Sequence, residues 1–133
     1  MGRTRTEPRV PSKGDTHMQY LLLIHGPETQ PGAAPEPEGR KMMEAYLAYT
    51  QALKDAGAML GGNALHPAAS GTVVRVRDGK TQVLDGPYAE AKEQLAGYYL
   101  IEAADLDKAL EWAARCPGAA TGTMEVRPIV VFN

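Results

Sequence analysis

Apolar positions along the chain fall into short runs separated by turn chemistry, and the spacing inside each run predicts its conformation. Residues 19–25 read Gln-Tyr-Leu-Leu-Leu-Ile-His and stop abruptly at Gly26-Pro27. A run this short that scarcely alternates predicts a strand buried on both faces. Residues 28–39, rich in proline and glycine, predict a loop. From Arg40 to Ala56, Met43, Tyr46, Leu47, Thr50 and Leu53 recur at three- and four-residue spacing, which predicts one apolar helical stripe. Gly57 follows where helices commonly end in a left-handed residue.

Residues 58–65 predict a weak strand, with a bulge or a close backbone approach at Gly61-Gly62. His66-Pro67 through Gly71 turns the chain. In Thr72–Arg77, Val74 and Val76 share one face and Val73, Arg75 and Arg77 the other. Asp78-Gly79 then predicts a tight hairpin, with Lys80–Leu84 as the returning strand. A long polar connection, Asp85 to Gly97, leads to a compact strand at Tyr98–Ala103. Asp105 is placed to cap a helix whose buried stripe is Leu106, Ala109, Leu110 and Ala113, and Cys116-Pro117-Gly118 stops it. Thr123–Phe132 closes the chain as a strand, and Pro128 within it predicts an edge position or a bulge. Helices segregated from a largely antiparallel sheet make the class α+β, and the order fits a ferredoxin-like plait with an inserted β-hairpin strand. Two helices cover only one face of such a sheet. The bare apolar face predicts a homodimer joined sheet to sheet.

Composition narrows the picture further. The chain has 133 residues, one domain by size, and 44% of them are apolar, enough for a core. Residues 1–17 are almost devoid of apolar side chains and predict a flexible N-terminal leader to a domain spanning residues 18–133, with Met18 a candidate start. The formal net charge of −2 supplies no basic field for a phosphate backbone, so direct nucleic-acid binding is not expected. No apolar run approaches the roughly 20 residues of a membrane span, and no signal-peptide segment follows the basic N-terminus. The single Cys116 cannot close an intrachain disulfide, which fits a cytoplasmic location. The three histidines lack metal-ligand spacing and the lone cysteine adds none, so no metal site is expected; Gly61-Gly62 and Gly118 form no phosphate-binding pattern, and no cofactor is expected.

The candidate chemistry gathers in the Asp85–Gly97 connection, which is polar and dense in functional groups where most small-domain connections are short and plain. Asp85, before Gly86-Pro87, reads as turn chemistry, its carboxylate accepting a backbone amide two residues on. It also reads as a base or orienting carboxylate at the mouth of a cleft. Glu90, Lys92 and Glu93 read as a solvated loop or as a pocket lining in which Lys92 holds an anionic group. His25 ends the first strand, where a side chain can leave the sheet edge and titrate near neutrality. Tyr46 and Tyr49 read as core residues whose hydroxyls need partners, with Asp85 a candidate. Cys116, at a helix C-terminus where thiolate is disfavoured, is not proposed as a nucleophile.

Asp85-Gly86-Pro87-Tyr88-Ala89-Glu90-Ala91-Lys92-Glu93 resembles the signature of the YCII-related family, in the branch named for a DGPFAETKE motif. It departs from that motif at Tyr88 and Ala91. Val74–Gly79 and Gln94–Glu102 around it, with Asp105–Ala113 and Glu125–Pro128 downstream, extend the likeness over residues 18–132. The resemblance implies a dimeric α/β-barrel built from ferredoxin-like halves. It also implies small enzymes using a His–Asp pair, one relative being a dehydrochlorinase of a substituted hydroquinone. The family's helix histidine aligns with Tyr46 here, so that pair does not carry over intact, and His25 is the candidate replacement. Linkage of the branch to sigma-factor genes implies a regulatory alternative.

Two expectations follow. The first is a cofactor-free protein binding a small cyclic or anionic molecule, with lyase- or isomerase-like acid–base chemistry if it is an enzyme. Asp85, His25 and Tyr46 would be the catalytic groups, with Tyr88, Glu90, Lys92 and Tyr98 contacting the ligand. The second is a non-catalytic dimeric module binding a regulatory partner such as a sigma-type transcription factor.

Overall fold

The computed structural model describes residues 18–27, 37–89 and 92–132. The expected leader, most of the proline-rich loop and Glu90 lie outside them. In chain order come β1 (Met18–Pro27), α1 (Glu38–Asp55), β2 (Met59–Ala64), β3 (Thr72–Arg77), β4 (Lys80–Asp85) and β5 (Glu93–Ala103). Then follow α2 (Leu106–Arg115), the short α3 (Gly118–Thr121) and β6 (Thr123–Pro128). The main sheet is antiparallel, with order β2-β5-β1-β6. With β3 and β4 set aside, the first and third strands are central and the second and fourth are edges, the arrangement of a ferredoxin-like plait. Pro128 accordingly sits on an edge strand, where a missing N–H costs no ladder bond.

The insertion is two strands, β3 and β4, which among the described residues pair only with each other. Asp78 and Gly79 both take positive φ, 53° and 74°, the requirement of the tight turn that matches strand twist. The Gly61-Gly62 expectation also holds. The β2–β5 register shifts between Met59 and Gly61, and a Cβ on Gly62 would stand 2.9 Å from the Tyr98 carbonyl oxygen.

The core lies between the sheet and the helices. Tyr20, Leu22 and Ile24 of β1 and Tyr99, Ile101 and Ala103 of β5 are buried on that face. The strand read as buried on both sides is fully buried on one only, with Leu21 and Leu23 half-buried on the other. Both helices are also rotated relative to the sequence reading. In α1 the buried residues are Tyr49 and Leu53, with Tyr46 packed against the core, whereas Met43 and Leu47 are 61% and 63% exposed. In α2 Trp112 takes the inward place expected of Leu110, beside Ala109 and Ala113. Each fully buried leucine, Leu22 or Leu53, contributes on the order of 1.5–3 kcal/mol.

Two polar contacts lock this layer. Asp105 caps α2 as expected, accepting from the Lys108 amide at 2.9 Å. At the other end the Cys116 amide bonds back to Ala113, which leaves the Trp112 carbonyl without its helical donor. The Tyr49 hydroxyl supplies one from α1 at 2.7 Å. Tyr49 also stacks edge-on against Tyr99 and Trp112, with centroids 5.2 and 6.1 Å away. Among the described residues no helix is long and apolar enough to cross a membrane.

Candidate functional site

Strand alternation sends odd-numbered residues of β1 to the face the helices do not cover, and the pairing aligns them in rows. One row is Arg127, Leu21 and Leu100; the next is Glu125, Leu23, Tyr98 and Asn63; the last is Thr123, His25 and Leu95. The Asn63 amide donates to the Tyr98 hydroxyl at 2.8 Å. Glu125 stands diagonal to His25, and its Oε1 accepts from His25 Nε2 at 3.0 Å. Its other oxygen faces Arg127 Nε at 3.9 Å. An ionised carboxylate only accepts, so Nε2 carries the proton and Nδ1 presents a lone pair in the neutral ring. The His25 side chain is 29% exposed. Among the described residues no partner engages Nδ1, and a ring held by a carboxylate through one nitrogen is arranged to accept a proton on the other.

The strand that follows the polar connection, β5, enters this end of the sheet. β5 begins at Glu93, earlier than the compact strand expected at Tyr98, because the ladder with β1 continues past the apolar run: Glu93 opposes Pro27, Gln94 opposes Gly26 and Leu95 opposes His25. The Gln94 amide donates to the Ala89 carbonyl at 3.1 Å, tying the connection to the strand. Tyr88 is 82% exposed, and Lys92 is also exposed.

The sequence-predicted residues are brought together only in part. His25 and Tyr98 share the open face. Tyr46 lies on the helix-covered face, where its hydroxyl meets Cys116 and Gly118. Burial, and then the neighbouring thiol, push Tyr46 far above its ordinary ionisation at 10.0. Asp85 ends β4, exposed, and its Oδ1 accepts from the Thr72 hydroxyl at 3.3 Å. An amide two residues on is not its partner, because that residue is Pro87, which has no N–H. Among the described residues no hydrogen bond or ion pair joins Asp85 to His25 or Tyr46. Cys116 is buried, and burial raises its thiol above the ordinary 9.0.

Sequence reasoning missed Glu125 and Arg127 as site residues. A signal was present: in β6, Thr123, Glu125 and Arg127 alternate with Met124 and Val126, which marks a polar face. Gly122, just before β6, sits so tightly against the His25 and Gly26 backbone that a Cβ there would overlap the His25 carbonyl oxygen.

A family model described as the YCII-related domain matches residues 18–133. An uncharacterized protein of Rhizobium meliloti (strain 1021) is 36% identical over 118 residues, covering 87% of this chain and 95% of that relative.

Proposed function

The chain belongs to the YCII-related domain family, and from that premise we propose that it binds a small cyclic or anionic organic molecule without a cofactor. The site is the His25 end of the open sheet face. The observation that carries this reading is the His25–Glu125 contact at 3.0 Å beside the start of β5. Glu125 fixes the ring, and Nδ1 takes a proton from the ligand as the first step of an elimination or isomerisation. One positioned base can contribute on the order of 10²–10⁴ in rate. Tyr88 and Lys92 border the site from the adjoining connection, and Tyr98 forms its floor. Glu90, assigned to the ligand from the sequence, lies outside the described residues. Tyr46 supports the scaffold from the other side of the sheet, and Asp85 shapes the turn that launches the connection.

The face is completed by a second copy. Leu21, Leu23 and Leu100 are only half-buried there, and a sheet-to-sheet homodimer would cover them and exclude water from the ligand. Light scattering then gives about twice the chain mass of 14.3 kDa. The ligand reading is tested by a thermal-shift screen of small aromatic acids and lactones against the native protein and His25→Gln. Binding raises the melting temperature of the native protein, and His25→Gln abolishes any proton-transfer activity found with a hit. An unchanged activity in His25→Gln would remove His25 from the chemistry.

A second reading rests on a different observation. The β3–β4 hairpin is a sheet of its own, and Val74, Val76 and Val83 share one of its faces, each more than half exposed. Such a patch suits a protein partner, in the regulatory role of a module that binds a sigma-type factor.

A further inference from the structure

We propose that Arg127 is the anion contact of the open-face site and that it selects a small cyclic monocarboxylate. The inference rests on the ligand reading above and adds what that reading leaves open, the charged group by which a ligand is recognised. Glu125 engages Arg127 through Nε alone, and at 3.9 Å that is a loose ion pair. Among the described residues no other acceptor takes the guanidinium, and the side chain is 68% exposed. Its two terminal nitrogens therefore present an open fork, the geometry that pairs two parallel N–H donors with one planar carboxylate. Lys92, the anion contact expected from the sequence, is a point charge on an exposed connection, and no such fork is available there.

The surroundings set the rest of the class. Arg127 and Leu21 are cross-strand partners, and Leu21 is itself paired with Leu100. An apolar ring attached to the carboxylate thus lies along Leu21 and Leu23 toward His25. Because His25 and Arg127 engage the two oxygens of one carboxylate, the proton-accepting Nδ1 and the open fork are within reach of one small ring compound. Glu125 itself, and Glu102 farther along the same face, oppose a doubly charged ligand. A monocarboxylate brings one charge to one fork; a phosphate ester would bring up to two.

The test is an NMR titration of isotope-labelled full-length protein, following the His25 ring resonances while sodium benzoate or neutral benzamide is added at constant ionic strength. In the native protein, benzoate shifts the His25 signals saturably and binds at least about tenfold tighter than benzamide, the range of one lost charge-assisted pair. Arg127→Gln brings benzoate down to the benzamide level while the amide spectrum stays folded, and Arg127→Lys falls between the two, because it keeps charge and loses the fork. Equal affinity for benzoate and benzamide in the native protein, or an Arg127→Gln variant that binds benzoate undiminished, overturns the assignment. If benzamide or the lactone phthalide moves His25 as strongly as benzoate, Arg127 is not the selector and the ligand reading survives. If none of the three moves His25, both fall.

Discussion

Replacing Tyr49 by Phe removes one oxygen atom from the centre of the core and leaves its ring in place. The ring keeps its edge-on contacts with Tyr99 and Trp112, so the change isolates the hydroxyl. That hydroxyl is the donor to the Trp112 carbonyl at 2.7 Å, and the Cys116 amide that would otherwise serve is committed to Ala113. Tyr49→Phe therefore leaves a buried carbonyl unpaired at the end of α2, which costs about 1–3 kcal/mol. For a domain of this size that lowers the melting temperature by roughly 4 °C per kcal/mol. A second signature separates this cause from loosened packing. Burial raises the Tyr49 phenol well above its ordinary 10.0, so at alkaline pH the unfolded chain gives up this proton first and the native state binds more protons. Stability from the phenol is whole below pH 10 and declines as pH rises beyond it, by about 1.4 kcal/mol per unit for one group. The Phe variant lacks that share of the decline, so its deficit narrows above pH 10. Urea unfolding followed by the fluorescence of Trp112, the sole tryptophan, with the Arg115 guanidinium 4.3 Å over its ring, measures both. A deficit below about 0.5 kcal/mol at pH 7.5, or one that stays constant to pH 11, would refute the reasoning.

Further outcomes follow from the same structure. Asp105→Ala removes the acceptor for the Lys108 amide at 2.9 Å and costs about 1 kcal/mol in urea unfolding, while Asp105→Asn recovers most of it. Gly122→Ala forces a methyl group against the His25 backbone, and a backbone cannot yield as a side chain can. The expected loss is about 1–3 kcal/mol, with large NMR shifts at His25 and Thr123; a variant with native stability and unmoved His25 signals would mean that the close approach is relieved elsewhere. In the native protein the alkaline decline begins near pH 9, because burial raises Cys116 as well as Tyr46 and Tyr99. Thiol reagents therefore label Cys116 only as fast as the fold opens, which a labelling time course against unfolding rate checks.

Features that depend on a few neighbouring residues were legible in the chain. Asp78-Gly79 makes the turn its dihedral preferences require, Asp105 caps α2, and Gly57 ends α1 with φ at +72°. The element order was enough to indicate the plait, because short antiparallel connections leave few arrangements of four strands and two helices. What the chain alone did not decide is which way each helix turns. Met43 and Leu47 fit an apolar stripe as well as Tyr49 does, and Leu110 fits as well as Trp112; only the sheet against which they pack selects between them. The site divides in the same manner. His25 could be singled out from its place at a strand end, but its carboxylate is 100 positions away, and Asp85, nearer in sequence and richer in local signal, bonds Thr72 instead. A partner so distant is set by strand register, in which one step of slip would carry Glu125 to the other face. That register is held by side chains from the whole sheet, so it comes into being only with the tertiary fold.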